Sequence, residues 1–225
     1  LLRTVAAREI PGPVWRGLLE NGGAKTAYFF LSALGALVLQ RAVNTLSPRL
    51  IAAQAIALSL QTALIAPLGE LGTASGVITG QNVGACRLEN ILPYHRRLVR
   101  LFVILGVGAI AVVWLAGRPL VGLVAGPEQP PEVSEAALWW LRLTVLAFPV
   151  SFAILYRNAL QALGQYGGVV ALGGMEVLCS AASALLFVPA FGYLGGALGV
   201  VLSWGASALL GSALFRLALK GGGRR

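Results

Sequence analysis

Apolar residues along this chain come in long uninterrupted runs, and short stretches rich in proline, glycine or charge separate them. A helix that crosses a bilayer needs about 20 mostly apolar residues, and six stretches qualify. The first lies within Pro11 to Thr45, with a clean apolar centre from Tyr28 to Leu39. The others run from Leu50 to Gly80, Leu98 to Gly117, Ala136 to Leu160, Gly168 to Phe191 and Tyr193 to Leu219. Leucine, alanine and valine dominate all six, at lengths too great for strands. The roughly ten-residue alternating segments of a membrane β-barrel are absent. The pattern predicts an all-α polytopic membrane protein, a bundle of six transmembrane helices spanning residues 1–225.

The connections carry turn chemistry. Asn44-Thr45-Leu46-Ser47-Pro48-Arg49 separates the first pair, because the residue before a proline is pushed out of the α region. Gly126-Pro127-Glu128-Gln129-Pro130-Pro131-Glu132 parts the third span from the fourth, and glycine-rich turns serve the last two junctions. Gly84 to Arg97 is the one long connection, and its mixed charges suggest a short amphipathic helix on the membrane surface.

Composition sharpens the picture. The 225 residues are 57% hydrophobic and only 11% charged, against about 25% charged in a soluble domain. That excludes a soluble globular enzyme and a disordered tail. The net charge of +9 invites a nucleic-acid reading, but such binding needs basic residues gathered on one solvated face. Here they punctuate the apolar runs, as the positive-inside rule expects of loops; no nucleic-acid partner is expected. With the N-terminus in the cytoplasm, that side receives Arg3, Arg8, Arg87, Arg96, Arg97, Arg100, Arg216, Lys220, Arg224 and Arg225. The far side receives Arg41, Arg49 and Arg118 with the acidic Glu128, Glu132 and Glu135. Both ends of the segment are therefore expected inside. Cys86 and Cys179 make no disulfide framework, and the lone His95 has no second histidine at ligand spacing, so no metal is expected. The one methionine is Met175, so Leu1 is not expected to be the native start.

Small residues recur every four positions in two places: Gly72, Gly76, Gly80 and Gly84, then Gly195, Gly199, Ser203, Ser207 and Gly211. Such faces let helix backbones approach closely, for static packing or for sliding during a conformational cycle. Pro67 and Pro149 fall in mid-span, where they free backbone carbonyls and permit kinks.

A charge at a helix centre costs about 2.5–3.5 kcal/mol on the insertion scale, so those inside or beside spans demand a reason. Lys25, Arg142 and Arg157 fit snorkelling to a nearby surface. Glu20 follows Arg16 by four residues, so the two share a helix face. Either they decorate an interfacial first turn, or one long helix opened by Pro11-Gly12-Pro13 carries Glu20 to intermediate depth, where it could exchange a proton or Na⁺. Glu176 has Gly173 and Gly174 leaving room around it, and Glu70 follows Pro67 and Gly69, where a broken helix would expose polar backbone. Either lines a cavity or pairs with an arginine. Glu20, Glu70 and Glu176 are thus the candidate coupling-ion or substrate residues.

The stretch Ala52–Arg87 ends in Gly80-Gln81-Asn82-Val83-Gly84-Ala85, which resembles the GQNxGA element of the multidrug and toxic compound extrusion (MATE) transporters. The proline-opened span carrying Glu20 is similar to the first helix of that family's C-terminal lobe. Leu160-Gln161-Ala162-Leu163-Gly164 and Leu202-Ser203-Trp204 are similar too. The resemblance implies twelve spans in two six-helix lobes, with this chain as the second lobe in a bacterial inner membrane. It implies a cation-coupled exporter, exchanging H⁺ or Na⁺ for amphipathic, often cationic compounds without a cofactor. By position the cation-linked role would fall on Glu20. Some members carry an aspartate on the lobe's fourth helix; this chain has no Asp, and the region reads Phe148-Pro149-Val150-Ser151. That departure leaves Na⁺ coordination of that type without its aspartate.

Two other readings stand beside the antiporter half. A lipid-linked oligosaccharide flippase of related architecture would need a cationic cavity, which Arg16, Lys25, Arg142 and Arg157 could supply. A structural membrane subunit would pair its buried charges internally. An enzyme is the weakest reading, for want of a His-anchored triad, a metal cluster or a GxxxxGK[ST] loop.

Overall fold

Prolines open the first two helices and shape most of the others. In the computed structural model, which describes residues 11–222, Pro11 and Pro13 start α1 (Gly12–Asn44), where a missing N–H costs nothing. Ser47 caps α2 (Pro48–Gly84), its Oγ accepting from the Leu50 N–H at 3.3 Å. A single 3₁₀ turn, Leu88–Asn90, leads into α3 (Ile91–Ala125), and Gly126 ends it at φ 76°. The chain continues through α4 (Pro131–Val145), α5 (Ala153–Ala162), α6 (Tyr166–Ala182), α7 (Val188–Phe191) and α8 (Tyr193–Gly222).

Six stretches are long and apolar enough to cross a membrane: Gly12–Asn44, Pro48–Gly84, Leu88–Ala125, Pro131–Val150, Tyr166–Phe191 and Tyr193–Gly221. They agree in number and order with the hydrophobic pattern, and differ from it instructively in detail. The long connection expected between Gly84 and Arg97 shrinks to three residues and a turn, because α3 begins at Ile91. At about 1.5 Å per residue, its 35 residues span about 52 Å, well beyond a hydrocarbon core of about 30 Å. Its charged first turns therefore belong to a helix that protrudes, not to a separate surface helix.

The expected fourth span, Ala136–Leu160, is broken. α4 ends at Val145, a 3₁₀ turn covers Phe148–Val150, and α5 starts at Ala153. Pro149 has no N–H for the i−4 bond, so the chain changes to shorter-range bonds: Ala147 N–H to Thr144 carbonyl, Val150 to Ala147 and Ser151 to Phe148, at 3.1–3.2 Å. Hydroxyls take up stranded carbonyls. Thr144 Oγ1 donates to Trp140 and Leu141 at 3.0 and 3.2 Å, and Ser151 Oγ to Phe148 at 2.9 Å. Gly106 on α3 makes room, since a Cβ there would stand 2.7 Å from the Pro149 nitrogen. The fifth span is also irregular, with a π-helical turn at Ser183–Phe187 before α7. Pro67, by contrast, breaks nothing. α2 runs unbroken past it, and α3, α4 and α5 pack along α2, so the loss of one ladder bond is absorbed and the broken helix expected before Glu70 does not form.

The core lies among α2, α3, α4, α5 and α8, around the fully buried Trp140, Leu141, Phe148 and Leu155. α1 packs chiefly on α6 alone. Large apolar side chains face outward all round; Leu115 and Leu123 are 87% and 82% exposed. Hydrocarbon solvates such a surface, and the chain is a polytopic helical membrane protein. Arg3, Arg8, Arg224 and Arg225, which entered the charge asymmetry, lie outside the described residues.

Candidate functional site

A cavity of about 190 Å³ opens where α1, α2, α4, α6 and α8 converge. Trp140, Trp204, Leu39 and Val200 form apolar walls, and Ser32, Gln40, Gln54, Ser180 and Ser203 bring polar groups. Among the described residues Glu176 is the one charged group lining it. Each group is placed for a local reason. Gly35 on α1 lies against α6, where a Cβ would stand 3.0 Å from Ser180 Oγ and 3.3 Å from the Glu176 carbonyl. Gly173 on α6 does the same against the Tyr28 carbonyl at 3.1 Å. This close approach brings the Tyr28 hydroxyl to Glu176, to which it donates at 2.7 Å. The Arg157 guanidinium of α5 covers the faces of Tyr28 and Phe29 at 4.6 and 5.2 Å, so cation–π contact holds the phenol from the other side. At the opposite end of the cavity Gln40 Nε2 donates to Gln54 Oε1 at 3.0 Å and to Asn44 Oδ1 at 2.7 Å.

The broken fourth span reaches this cavity. Phe148, beside Pro149, packs its ring 5.7 Å from that of Trp204, and Trp140 packs 4.8 Å from Tyr193. A change in the bend at Phe148–Val150 would therefore move the tryptophan wall.

The three candidate carboxylates separate. Glu176 is half-buried and lines the cavity. Glu20 is on the third turn of α1, exposed, with its Oε1 2.7 Å from Arg16 Nε. Glu70 is exposed on α2, outside the cavity. The arginines of the flippase reading scatter as well: Arg142 lies over Trp114 and Trp139 at 5.0 and 5.4 Å, and Arg16 and Lys25 are exposed.

The first glycine ladder packs α2 against α5. A Cβ at Gly72 would meet Ile154 at 2.7 Å, one at Gly76 would meet Asn158 at 3.2 Å, and one at Gly80 would meet Ala162 at 3.9 Å; Gly84 faces open space. Gln81-Asn82 builds the helix end. The Arg87 N–H bonds the Asn82 carbonyl at 2.8 Å and the Cys86 N–H that of Val83 at 3.1 Å, the two bonds of a Schellman cap. Cys86 takes the left-handed position at φ 55°. Asn82 Nδ2 also donates to Ile78 at 2.8 Å. α5 ends likewise, with Gln165 bonded to Leu160 and Gly164 to Gln161, and Gln161 also donates to Asn21 of α1.

Sequence reasoning missed Tyr28, Gln40, Gln54 and Ser180. The two glutamines carried a usable signal, amides inside apolar spans; Gln54 is 4% exposed. Among the described residues no three His, Cys, Asp or Glu side chains gather as metal ligands.

Six membrane-spanning stretches around a polar-lined cleft define a polytopic helical membrane protein. The family model MatE matches residues 27–167, and the chain belongs to that family, whose members are transporters. Among solved structures it superposes on a MOP superfamily transporter from Pyrococcus furiosus Vc1, for which a binding pocket of reverse polarity suggests a different function, with TM-score 0.76 and 20% identity. The match covers 87% of this chain and 43% of that one. A MATE protein in complex with MaD3S gives TM-score 0.76 and 20% identity, over 87% and 44% of the two chains. An outward-facing multidrug resistance MATE family transporter of the MOP superfamily gives 0.74 and 20%, with the same coverage. At such identities the likeness is one of fold. The chain spans less than half the length of these proteins. Among curated sequences nothing matches it.

Proposed function

We propose that the chain is the C-terminal six-helix lobe of a cation-coupled antiporter, exporting amphipathic cationic organic compounds from a bacterial cell by alternating access. The observation that carries this reading is the cleft itself: an aromatic and amide-lined cavity whose charged lining group is the Glu176 carboxylate. Its physics is competition. One carboxylate holds a coupling H⁺ or Na⁺, or a cationic guest, and not both. The half-buried Trp204 offers a ring to an organic cation, backed by the buried Trp140. A facing N-terminal lobe, in the same polypeptide or another, completes the site, and rocking of the two lobes exposes it to one side at a time. The resemblance puts the coupling role on Glu20; the geometry favours Glu176, because Glu20 is outside the cleft and already paired with Arg16. A flippase would need Arg16, Lys25, Arg142 and Arg157 to line the cavity; none of them does, and Arg157 lies beside it over the Tyr28 ring.

Ethidium efflux from proteoliposomes under an imposed proton or Na⁺ gradient tests this, with the lobe assembled alongside its facing half. Glu176→Gln is expected to lower coupled efflux at least about tenfold, equivalent to about 1.4 kcal/mol, while Glu20→Gln and Glu70→Gln leave it within about twofold. Full coupling in Glu176→Gln, or its loss in Glu20→Gln, would move the site to Glu20.

A further inference from the structure

A second cavity is larger than the cleft. A pocket of about 770 Å³ lies where α3 begins and α8 ends, inside the roughly 300–1,000 Å³ range of organic-ligand sites. Four cations line it: Arg96 and Arg100 on α3, Arg216 and Lys220 on α8. Each pair is spaced i, i+4, so like charges sit on one helix face, an arrangement that destabilises a helix by itself. Among the described residues no carboxylate lines the pocket, and none of the four cations forms an ion pair. The opposite end of the lobe is different. There Arg49 pairs with Glu132 at 2.8 Å and Arg118 with Glu135 at 2.9 Å. The pocket thus gathers four cations with no carboxylate partner among the described residues.

The rest of the lining says what kind of anion fits. Leu92, Val99 and Leu219 form apolar walls. At the floor the buried His95 ring lies between Tyr156 and Phe215, with centroids 4.7 and 4.4 Å away. Its Nε2 has no hydrogen-bond partner, so the floor is not pure hydrocarbon. Depth agrees as well. α3 and α8, with 35 and 30 residues, reach about 52 and 45 Å at 1.5 Å per residue and overrun a core of about 30 Å. The basic turns thus stand at headgroup level, and basic pockets between helices at that level take anionic headgroups.

We propose that this pocket binds an anionic phospholipid, its phosphodiester held by Arg96, Arg100, Arg216 and Lys220 and its glycerol and first acyl carbons against Leu92, Val99 and Leu219. The bound lipid's single negative charge offsets part of the repulsion within the two like-charged pairs and ties the start of α3 to the end of α8. The proposal is independent of the transport reading, since it uses none of the cleft residues.

The test is lipid retention and binding on the purified chain in an uncharged detergent, read by native mass spectrometry and titration. Phosphatidylglycerol is expected to bind saturably, phosphatidylcholine not, and raising the salt several-fold should weaken binding through screening. The variant Arg96→Gln/Arg100→Gln/Arg216→Gln/Lys220→Gln should bind about a thousandfold more weakly, whereas Arg96→Lys/Arg100→Lys/Arg216→Lys and the control Arg41→Gln/Arg118→Gln should keep binding. Equal binding of phosphatidylcholine, indifference to salt, or undiminished binding by the fourfold glutamine variant would each overturn the proposal. Displacement of phosphatidylglycerol by millimolar inorganic phosphate would also overturn it, assigning the pocket to a free phosphate anion. Wild-type lipid selectivity and salt dependence decide the matter even if the fourfold variant does not fold.

Discussion

Glu176 and Tyr28 illustrate how a single contact links helix approach to cleft chemistry. A carboxyl group facing an apolar helix interface needs a donor, and the Tyr28 hydroxyl supplies one at 2.7 Å, held in place by the Arg157 guanidinium over its ring. Tyr28→Phe removes that donor without removing the ring. It should cost about 1–2 kcal/mol of lobe stability in reversible unfolding from detergent into SDS. In a Glu176→Gln background the same change should cost measurably less, because contacting residues are not additive. Equal costs in the two backgrounds would mean that the pair contributes nothing. Glu176 was legible in the sequence because a carboxylate within an apolar run carries an insertion cost. Tyr28 was not, since 148 positions separate it from its partner, and nothing in a one-dimensional pattern reports that α1 and α6 are neighbours.

Helices here are held by backbone closeness at glycines, and the ladder on α2 makes a graded test. Gly72 is tight against Ile154, Gly76 touches Asn158, Gly80 just reaches Ala162 and Gly84 faces nothing. Alanine at Gly72 should destabilise the lobe by about 1–3 kcal/mol through overpacking, and the cost should fall along the series. At Gly84 it should turn into a gain of about 0.5–1 kcal/mol, since alanine restricts the unfolded chain. Thermal melts of the four variants in one detergent would check the order; a flat series would mean that α5 yields freely. Gly106→Ala should cost more than Gly80→Ala, because its added carbon meets the Pro149 backbone, which has no rotamer to change. The ladders, the six runs and the capping turns were readable from spacing and composition because they are local. The full length of α3 was not, because hydropathy reports contact with lipid and not helicity, and Arg96 and Arg97 lie on turns before the apolar run that starts at Leu98. The π-helical turn at Ser183–Phe187 was hidden for another reason: it answers α8, where Ser183 Oγ donates to the Gly195 carbonyl at 3.1 Å and Gly199 leaves space for Ser183.

The facing lobe proposed above would meet this chain along some surface, and hydrophobicity cannot mark that surface, since a leucine against lipid and a leucine against a second lobe read alike. Packing discriminates better. α1 leans on α6 and little else, so its opposite face, with Leu19 at 69%, Phe30 at 64% and Leu37 at 68% exposure, is open along the helix. The cleft opens beside the same helix through Ser32, Ala36 and Gln40. A seam along α1 would therefore bury the open face and close the cleft in one step, as alternating access requires. Spin labels on Phe30→Cys, Leu37→Cys and, for reference, Leu115→Cys of α3 would test it. The background would carry Cys179→Ser and Cys86→Gly, glycine being the residue best suited to φ 55°. In the isolated lobe in bilayers, all three labels should show the oxygen accessibility of a lipid-facing site. Joined to a facing lobe, positions 30 and 37 should lose most of it while position 115 keeps it. Accessibility that persists at 30 and 37 would place α1 in lipid and move the seam elsewhere, and the proposal that Glu176 is reached from between two lobes would then have to yield.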